Sequence, residues 1–289
     1  MPDKGLLYLV FLNYYHQLLM NKFSMNKVKI FILLLFVSIS VSFNTGNKPR
    51  VIMAVLAHPD DESAVGHVLA KYASQNNKVY LVIACDGRYG VEEHAGIPAG
   101  DSLAEVRKNE SICASHILGI EPPIFLGLHD GLGLVSGLGA YFKQTTELKG
   151  KLKQQIEKIN PDVIITFGPD GDTGHPDHRG ISDITTEVIL REGWYQKYPL
   201  YYIGWLKEKI VSIPQGQMTS LNYVHSNYLN TRIRYNKKDR QKLFESLSCY
   251  KSQLTENDVK DWINAELKDS SFTFYFRKLV VETRIKSDF

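Results

Sequence analysis

The chain has 289 residues, 44% of them hydrophobic and 22% charged, a composition that excludes disordered and fibrous classes. A formal charge of +3, with no run of Lys or Arg, gives no polyanion-binding surface, so nucleic acid is not an expected partner. The length holds one large α/β domain or two small ones and is ample for a core.

In chain order, the first signal is N-terminal. Met25-Asn-Lys-Val-Lys29 is a short basic stretch, Ile30–Val37 is unbroken apolar sequence, and Ser40 and Ser42 suit a cleavage site. This is the three-part pattern of a secretory signal peptide. A membrane span needs about 20 predominantly apolar residues, so export with cleavage is the expectation and an uncleaved membrane anchor the alternative. Met25 reads as the true start. Residues 1–45 are therefore set aside as extension and signal, and 46–289 are read as a single α/β domain. Cys85, Cys113 and Cys249 show no CxxC spacing. An exported chain could pair two of them, but Cys85 and Cys113 read as small core hydrophobes.

Val51–Ala57 is short and apolar and is bounded by Pro, the pattern of a fully buried strand. Ser63–Gln75 has helical spacing. Val79–Cys85 is a second buried strand, stopped by Asp86-Gly87. Ser102–Leu118 is an amphipathic helix with Leu103, Val106, Ile112 and Ile117 on its apolar face and Gly119 at its C-cap. Pro123–Leu128 is a third strand, Leu148–Ile159 a helix, Asp162–Phe167 a fourth strand and Ile181–Arg191 the helix after it. Beyond Tyr195 the pattern predicts strands at Tyr201–Leu206, Asn222–Ile233 and Ser271–Val281, with a helix over Lys237–Tyr250. Buried strands alternating with helices predict a Rossmann-like, mostly parallel sheet with helices on both faces, and the rest a C-terminal mixed β/α extension.

Ligands of such sheets sit beyond the carboxyl ends of the strands. The first strand delivers His58-Pro-Asp-Asp-Glu62 to that edge, and the fourth delivers Gly168-Pro-Asp-Gly-Asp-Thr-Gly-His-Pro-Asp-His178. His58, Asp60, Asp61, Glu62, His175, Asp177 and His178 thus crowd into two short loops. Singly, each has an ordinary reading, such as a carboxylate favoured by a helix N-terminus. Together they would repel one another unless a divalent cation were held among them. Two His and a carboxylate with an open position are a catalytic zinc arrangement, in which bound water has its pKa lowered to about 7.

The order AHPDDE, then GHPDH, resembles the PIG-L/LmbE-like deacetylase family, zinc hydrolases that remove N-acetyl groups from N-acetylglucosamine-type sugars and conjugates. The resemblance spans about Val51–Leu254. Arg107-Lys-Asn-Glu110 with Leu118-Gly119 is similar to the family's R-x-x-E…LG helix, and Phe125-Leu-Gly-Leu-His-Asp-Gly131 to its LG…DG segment. Tyr250-Lys-Ser-Gln253 resembles the H-x-S-Q element, with Tyr in place of His. The resemblance implies His58, Asp61 and His178 as zinc ligands and Asp60 as the general base. It implies His175 as the imidazolium that stabilises the oxyanion or protonates the amine, with Asp177 orienting it. Asp130 matches a position that contacts substrate hydroxyls, and Arg88 and Arg107 are candidates for reaching the same crevice. For Arg107 a helical pair with Glu110 is an equal reading. Glu62 is either a supporting acceptor or a first-turn carboxylate. Where some members carry a Tyr two residues before the second-motif His, Thr173 stands here. The loop Gly90–Gly100 reads as a substrate-selecting rim or an ordinary solvated loop.

The same ligand set suits Fe(II) as in non-haem oxygenases, and a saccharide-binding module without chemistry is a further alternative. A Ser or Cys hydrolase is disfavoured because no nucleophile elbow is present. The expected substrate is a small-molecule or glycan N-acyl amino sugar; the acyl group and oligomeric state are not legible.

Overall fold

In a computed structural model, which describes residues 48–210 and 221–287 together with 12–14, 16, 17 and 20, the apolar run Val51–Leu56 forms strand β1, buried from Ile52 onward. Burying each such Ile, Val or Leu is worth about 1.5–3 kcal/mol relative to exposure. The predicted signal segment lies outside the described residues. The chain divides into two compact units, Met1–Pro49 and Arg50–Phe289. In the first, residues 12–14, 16, 17 and 20 are helical and exposed. Among the described residues no helix is long and apolar enough to cross a membrane.

The second unit holds a seven-stranded sheet of order β3-β2-β1-β4-β5-β7-β6. Its further strands are β2 (Lys78–Cys85), β3 (Ile124–Leu128), β4 (Val163–Thr166), β5 (Leu200–Gly204), β6 (Thr231–Arg234) and β7 (Thr273–Lys278). Strands β1 to β5 pair in parallel, and β7 pairs antiparallel with both β5 and β6. Apart from a single turn at Lys207–Ile210, the helices are α1 (Gly66–Ser74), α2 (Asp101–Leu118), α3 (Leu138–Ile159), α4 (Pro176–Arg191), α5 (Lys237–Leu247) and α6 (Glu256–Lys268). Right-handed crossovers send α1 and α2 to one face and α3 and α4 to the other, because the direction of winding reverses after β3. The packing agrees: α1, α2 and α5 contact one another, and α3 contacts α4. Ile52–Ala54 of β1 pair with Val163–Ile165 of β4. These strands meet where the order reverses, the point at which open α/β sheets bind ligands.

Several boundaries differ from the sequence reading. Before α1, Asp61–Ala64 form a 3-10 turn, and Val65 at φ −128° separates it from the helix. Helix α3 begins at Leu138 rather than Leu148, because Leu138 and Phe142 face solvent and the buried period starts only at Leu148. The predicted strand over Asn222–Ile233 shrinks to β6. Its first half is a short turn at Ser226–Tyr228, capped by the His225 ring, which accepts the Asn227 N–H. Helix α6 is an addition. It is opened by a capping box in which Thr255 and Asp258 satisfy each other's backbone N–H groups.

The cysteines require a correction. Cys85 is buried as expected, but Cys113 lies on the exposed side of α2 and is disulfide-bonded to Cys249. Ala114 and Leu118 carry the buried face of α2, which leaves Ile112 and Cys113 outside it.

His67 marks a pH-sensitive point in the core. It is 1% exposed, its ring lies 4.1 Å from Tyr235 and 5.0 Å from Phe274, and neither nitrogen has a hydrogen-bond partner. Burial pushes its pKa down to about 3. Between pH 6.5 and 3 the unfolded chain takes up a proton at this residue that the folded chain does not. The protonation penalty at His67 therefore grows as pH falls through that window and is absent above it. His67→Phe should flatten the fall in Tm between pH 7 and pH 4. An unchanged slope would show that this ring does not titrate on unfolding.

Candidate functional site

The first loop is built around Asp61. Its Oδ2 accepts the N–H groups of Ala57 at 2.9 Å and His58 at 2.6 Å, folding the end of β1 back over the carboxylate. Asp60 follows with φ 105°, a left-handed conformation that costs a non-glycine residue on the order of 1–3 kcal/mol. Arg107, 4% exposed, clamps the turn. Its guanidinium donates to Pro59 O at 2.7 Å, to Asp60 Oδ2 at 3.1 Å and to Gly87 O at 3.0 Å. Gly87, at φ +75°, lets the arginine pass: a Cβ there would lie 2.6 Å from the guanidinium. The helical pair with Glu110 does not form. Glu110 instead accepts from the N–H and hydroxyl of Ser252, at 2.7 and 2.6 Å.

The second loop opens α4. His175 is the N-cap, and its Nδ1 accepts the Asp177 N–H at 3.1 Å. Pro176 occupies the first turn, where its missing N–H costs nothing. His178 stacks on Phe167 at 4.1 Å with parallel planes, and its Nδ1 lies 3.1 Å from Gly171 O. The two loops then meet. His178 Nε2 lies 3.0 Å from Asp61 Oδ1, and His58 Nε2 lies 2.9 Å from Asp177 Oδ2. Asp177 also accepts the Gly131 N–H at 2.7 Å. Its carboxylate therefore steadies His58, while its backbone fixes the His175 ring.

Electrostatics follow from this packing. Burial disfavours the charged form of His178, but the Asp61 carboxylate outweighs it and pushes the imidazole up to about 9. Burial opposes ionisation of Asp61, yet the His178 charge holds it well below the usual carboxylate range. Burial pushes Asp60 up to about 6, against the pull of Arg107. His175 is lowered, by burial and then by the neighbouring His58 and His178 charges.

The donor set fits a divalent cation. A nitrogen of each of His58, His175 and His178 lies within 4.8 Å of the others. His58 and His178 each spend one ring nitrogen on an oxygen acceptor and turn the other toward Asp61, at 3.7 Å for His58 Nδ1. An imidazole so tethered through one nitrogen is oriented to bind metal through the other.

These groups open into a cleft of about 660 Å³, lined also by Asp60, Arg107, Asp130 and Asp177. Arg88 does not line it. Its guanidinium is held by Asp86 at 2.7 Å and Asp101 at 3.0 Å. Asp130 reaches the cleft with both oxygens occupied, accepting the N–H groups of Gly87 and Tyr89 at 2.8 Å each. Thr173 Oγ1 lies 3.5 Å from His178 Nδ1.

Sequence reasoning missed three contributors. Asp172, 5% exposed, accepts the Trp205 indole N–H at the cleft wall. Trp262 on α6 lines the cleft, and the Thr255–Asp258 capping signature was its available signal. Cys85 places its thiol in a buried group with His58, Asp130 and Asp177 whose donor atoms lie within 4.8 Å of one another. Glu62 now has a definite place: it is 1% exposed and accepts the Tyr250 hydroxyl. Burial pushes its carboxyl up to about 8, against that hydrogen bond. The Tyr that replaces His in the late motif thus braces the residue beside Asp61 from the far end of the chain.

The fold and the two converging loops define an α/β protein with a His/carboxylate centre at the switch point of its sheet. Residues 53–189 match the family described as PIG-L: GlcNAc-PI de-N-acetylase. The chain is 30% identical over 193 residues to a 1D-myo-inositol 2-acetamido-2-deoxy-alpha-D-glucopyranoside deacetylase of Kineococcus radiotolerans, covering 59% of this chain and 54% of that protein. It spans roughly half to three-fifths of the length of the curated relatives that it matches. Among solved structures, the A40926 pseudoaglycone deacetylase Dbv21 aligns with TM-score 0.60 at 18% identity, covering 82% of this chain and 100% of that one. The 4-carboxy-2-hydroxymuconate hydratase GalB of Pseudomonas putida aligns with TM-score 0.54 at 15% identity, covering 83% and 99%. At such identities the likeness is one of fold, and the same fold carries a hydratase.

Tyr250→Phe keeps the ring and leaves the Glu62 oxygen unpaired in the interior. It should lower stability by about 1–3 kcal/mol in a denaturant titration. No loss would mean that the contact contributes nothing net.

Proposed function

We propose that this protein is a metal-dependent N-deacetylase that removes the acetyl or acyl group of an N-acetylglucosamine-type sugar or conjugate. The observation that carries the reading is the meeting of His58, Asp61 and His178 beside Asp60 and His175 in one cleft. The family match and the relatives' names, all N-acyl amino-sugar deacetylases, support the substrate class.

His58 Nδ1, Asp61 and His178 Nε2 would hold the ion, zinc in this reading. When bound, a divalent cation supplies Lewis-acid polarisation of a carbonyl and acidification of water. Asp60 takes the proton. Its carboxyl, pushed up to about 6, is ionised at neutral pH yet basic enough to accept, the balance a general base needs. Arg107 occupies its Oδ2 and holds the group at the cleft floor. His175 is the exposed imidazole of the three. Because its Nδ1 accepts the Asp177 N–H, the neutral ring carries its proton on Nε2, from which it hydrogen-bonds the developing oxyanion, while the proton taken by Asp60 passes to the leaving amine. Asp177 keeps His58 in the tautomer that presents Nδ1. Arg88, turned away to Asp86 and Asp101, takes no part.

Export is part of the proposal. The Cys113–Cys249 disulfide supports it, because such bonds persist in oxidising compartments, and the 25–45 segment has the pattern of an export signal.

Acetate release from N-acylated amino sugars tests the reading. Activity should be lost with a chelator and restored by Zn²⁺, and chelator-insensitive hydrolysis would refute the metal role. Asp60→Ala should retain metal and lower kcat by about 10²–10⁴-fold. Asp177→Asn should weaken zinc affinity by about 10–100-fold in a competition titration; unchanged affinity would remove Asp177 from the support of His58.

A further inference from the structure

Part of the cleft is built by α6, which lies outside the residues that match the family. Helix α6 presents Asp258, Asp261, Trp262, Ala265 and Glu266 to the cavity. Leu254, just before α6, adds an apolar side chain to the lining, and Glu92 of the Gly90–Gly100 loop lines the same cavity. Trp262 is half-buried, so one surface of the ring packs while another remains accessible. Among the described lining residues, Arg107 is the sole Lys or Arg, and its guanidinium is already spent on Asp60, Pro59 and Gly87. The carboxylates of the two catalytic loops face three imidazoles, Arg107 and the ion they are suited to hold. Asp258, Asp261 and Glu92 face no Lys or Arg of the lining, whereas Glu266 has Lys209 and Arg240 beside it. The lining thus carries carboxylates in excess of Lys and Arg in a chain whose formal charge is +3, so this is a local feature and not the field of the whole protein. A cleft lined by one sign of charge focuses potential and selects ligands by charge.

We propose that α6 and Glu92 form the subsite for the part of the substrate that does not react. It takes a neutral or cationic extension, such as a second sugar ring or an uncharged aglycone lying on Trp262, and rejects phosphate-bearing amino sugars. This rests on the deacetylase reading and narrows it. A sugar ring offers a flat C–H face to an indole, and each aromatic contact of this kind adds to the burial of apolar area. A phosphate dianion placed among Glu92, Asp258 and Asp261 meets like charge at short range, at a cost of about tenfold in binding per close neighbour.

The test uses the full, metal-loaded chain with three substrates: methyl and phenyl N-acetyl-β-glucosaminide, and N-acetylglucosamine 1-phosphate. The methyl glycoside should exceed the phosphate in kcat/KM by about tenfold or more. Added salt should narrow that gap, because exposed charges are screened. The double variant Glu92→Gln/Asp261→Asn should narrow it further by lowering KM for the phosphate; Asp258 is left intact because it caps α6. Trp262→Ala should raise KM for the phenyl glycoside about fivefold, and by more than it lowers kcat. Equal or faster turnover of the phosphate by the wild type, or a KM indifferent to Trp262→Ala, would overturn the inference and leave deacetylation standing. Failure to cleave any N-acyl sugar would instead overturn the proposed function. The subsite is then read by binding, with tryptophan fluorescence titrated with glucosamine and with glucosamine 1-phosphate. Tighter binding of glucosamine supports the proposal, and tighter binding of its phosphate overturns it.

Discussion

The carboxylate of Asp61 is the joint on which the site depends. One of its oxygens gathers the N–H groups of Ala57 and His58, and the other faces the imidazole of His178. The first contact folds the end of β1 into a tight turn, and the second ties that turn to the N-terminus of α4 across the switch point of the sheet. A buried carboxylate tolerates this position because it is fully engaged; removing either loop would leave an uncompensated charge in the interior. The pairing of β1 with β4 fixes the distance between the loops, and the apolar strands behind them hold it.

Around this joint lies a second ring of polar residues drawn from distant sequence. Arg107 of α2 binds the backbone of the loops after β1 and β2, and Asp130 after β3 anchors the loop after β2. The segment after α5 closes the ring: Tyr250 holds Glu62, Ser252 holds Glu110, and Gln253 donates to Gly90 O at 2.9 Å. The disulfide from Cys249 to Cys113 pins that same segment to α2. Covalent and hydrogen-bonded restraints thus converge on the part of the chain that carries Asp60 and Asp61. This is the rigidity expected of a centre that must hold a strained Asp60 in place.

Much of this was legible before any coordinates. Short apolar runs bounded by Pro and Gly identify buried parallel strands, because such strands are covered on both faces and need no alternation. The two His-Pro-Asp segments at strand ends pointed to one edge of the sheet, since the direction of a parallel strand decides which of its ends carries the loop. The misreadings share a cause. The start of α3 and the exposed side of α2 were misjudged where apolar side chains face solvent, and periodicity cannot tell an exposed Leu138 or Ile112 from a buried one. Helix α6 went unread although Val259, Trp262 and Ile263 recur at helical spacing behind its Thr255–Asp258 capping pair.

Local chemistry along the chain therefore determined the strands, the crossovers and the identity of the groups at the candidate centre. Those depend on residue type and short-range order. Tertiary structure alone decided which partner each group has. Arg107 turned from its helical neighbour Glu110 to Asp60, Asp177 took His58 as the partner of its carboxylate, Arg88 was drawn out of the cleft, and Cys113 found Cys249. Apart from the contact of Arg88 with nearby Asp86, the choice is made between acceptors or thiols far apart in sequence, and burial and packing distance, which no linear pattern contains, settle it.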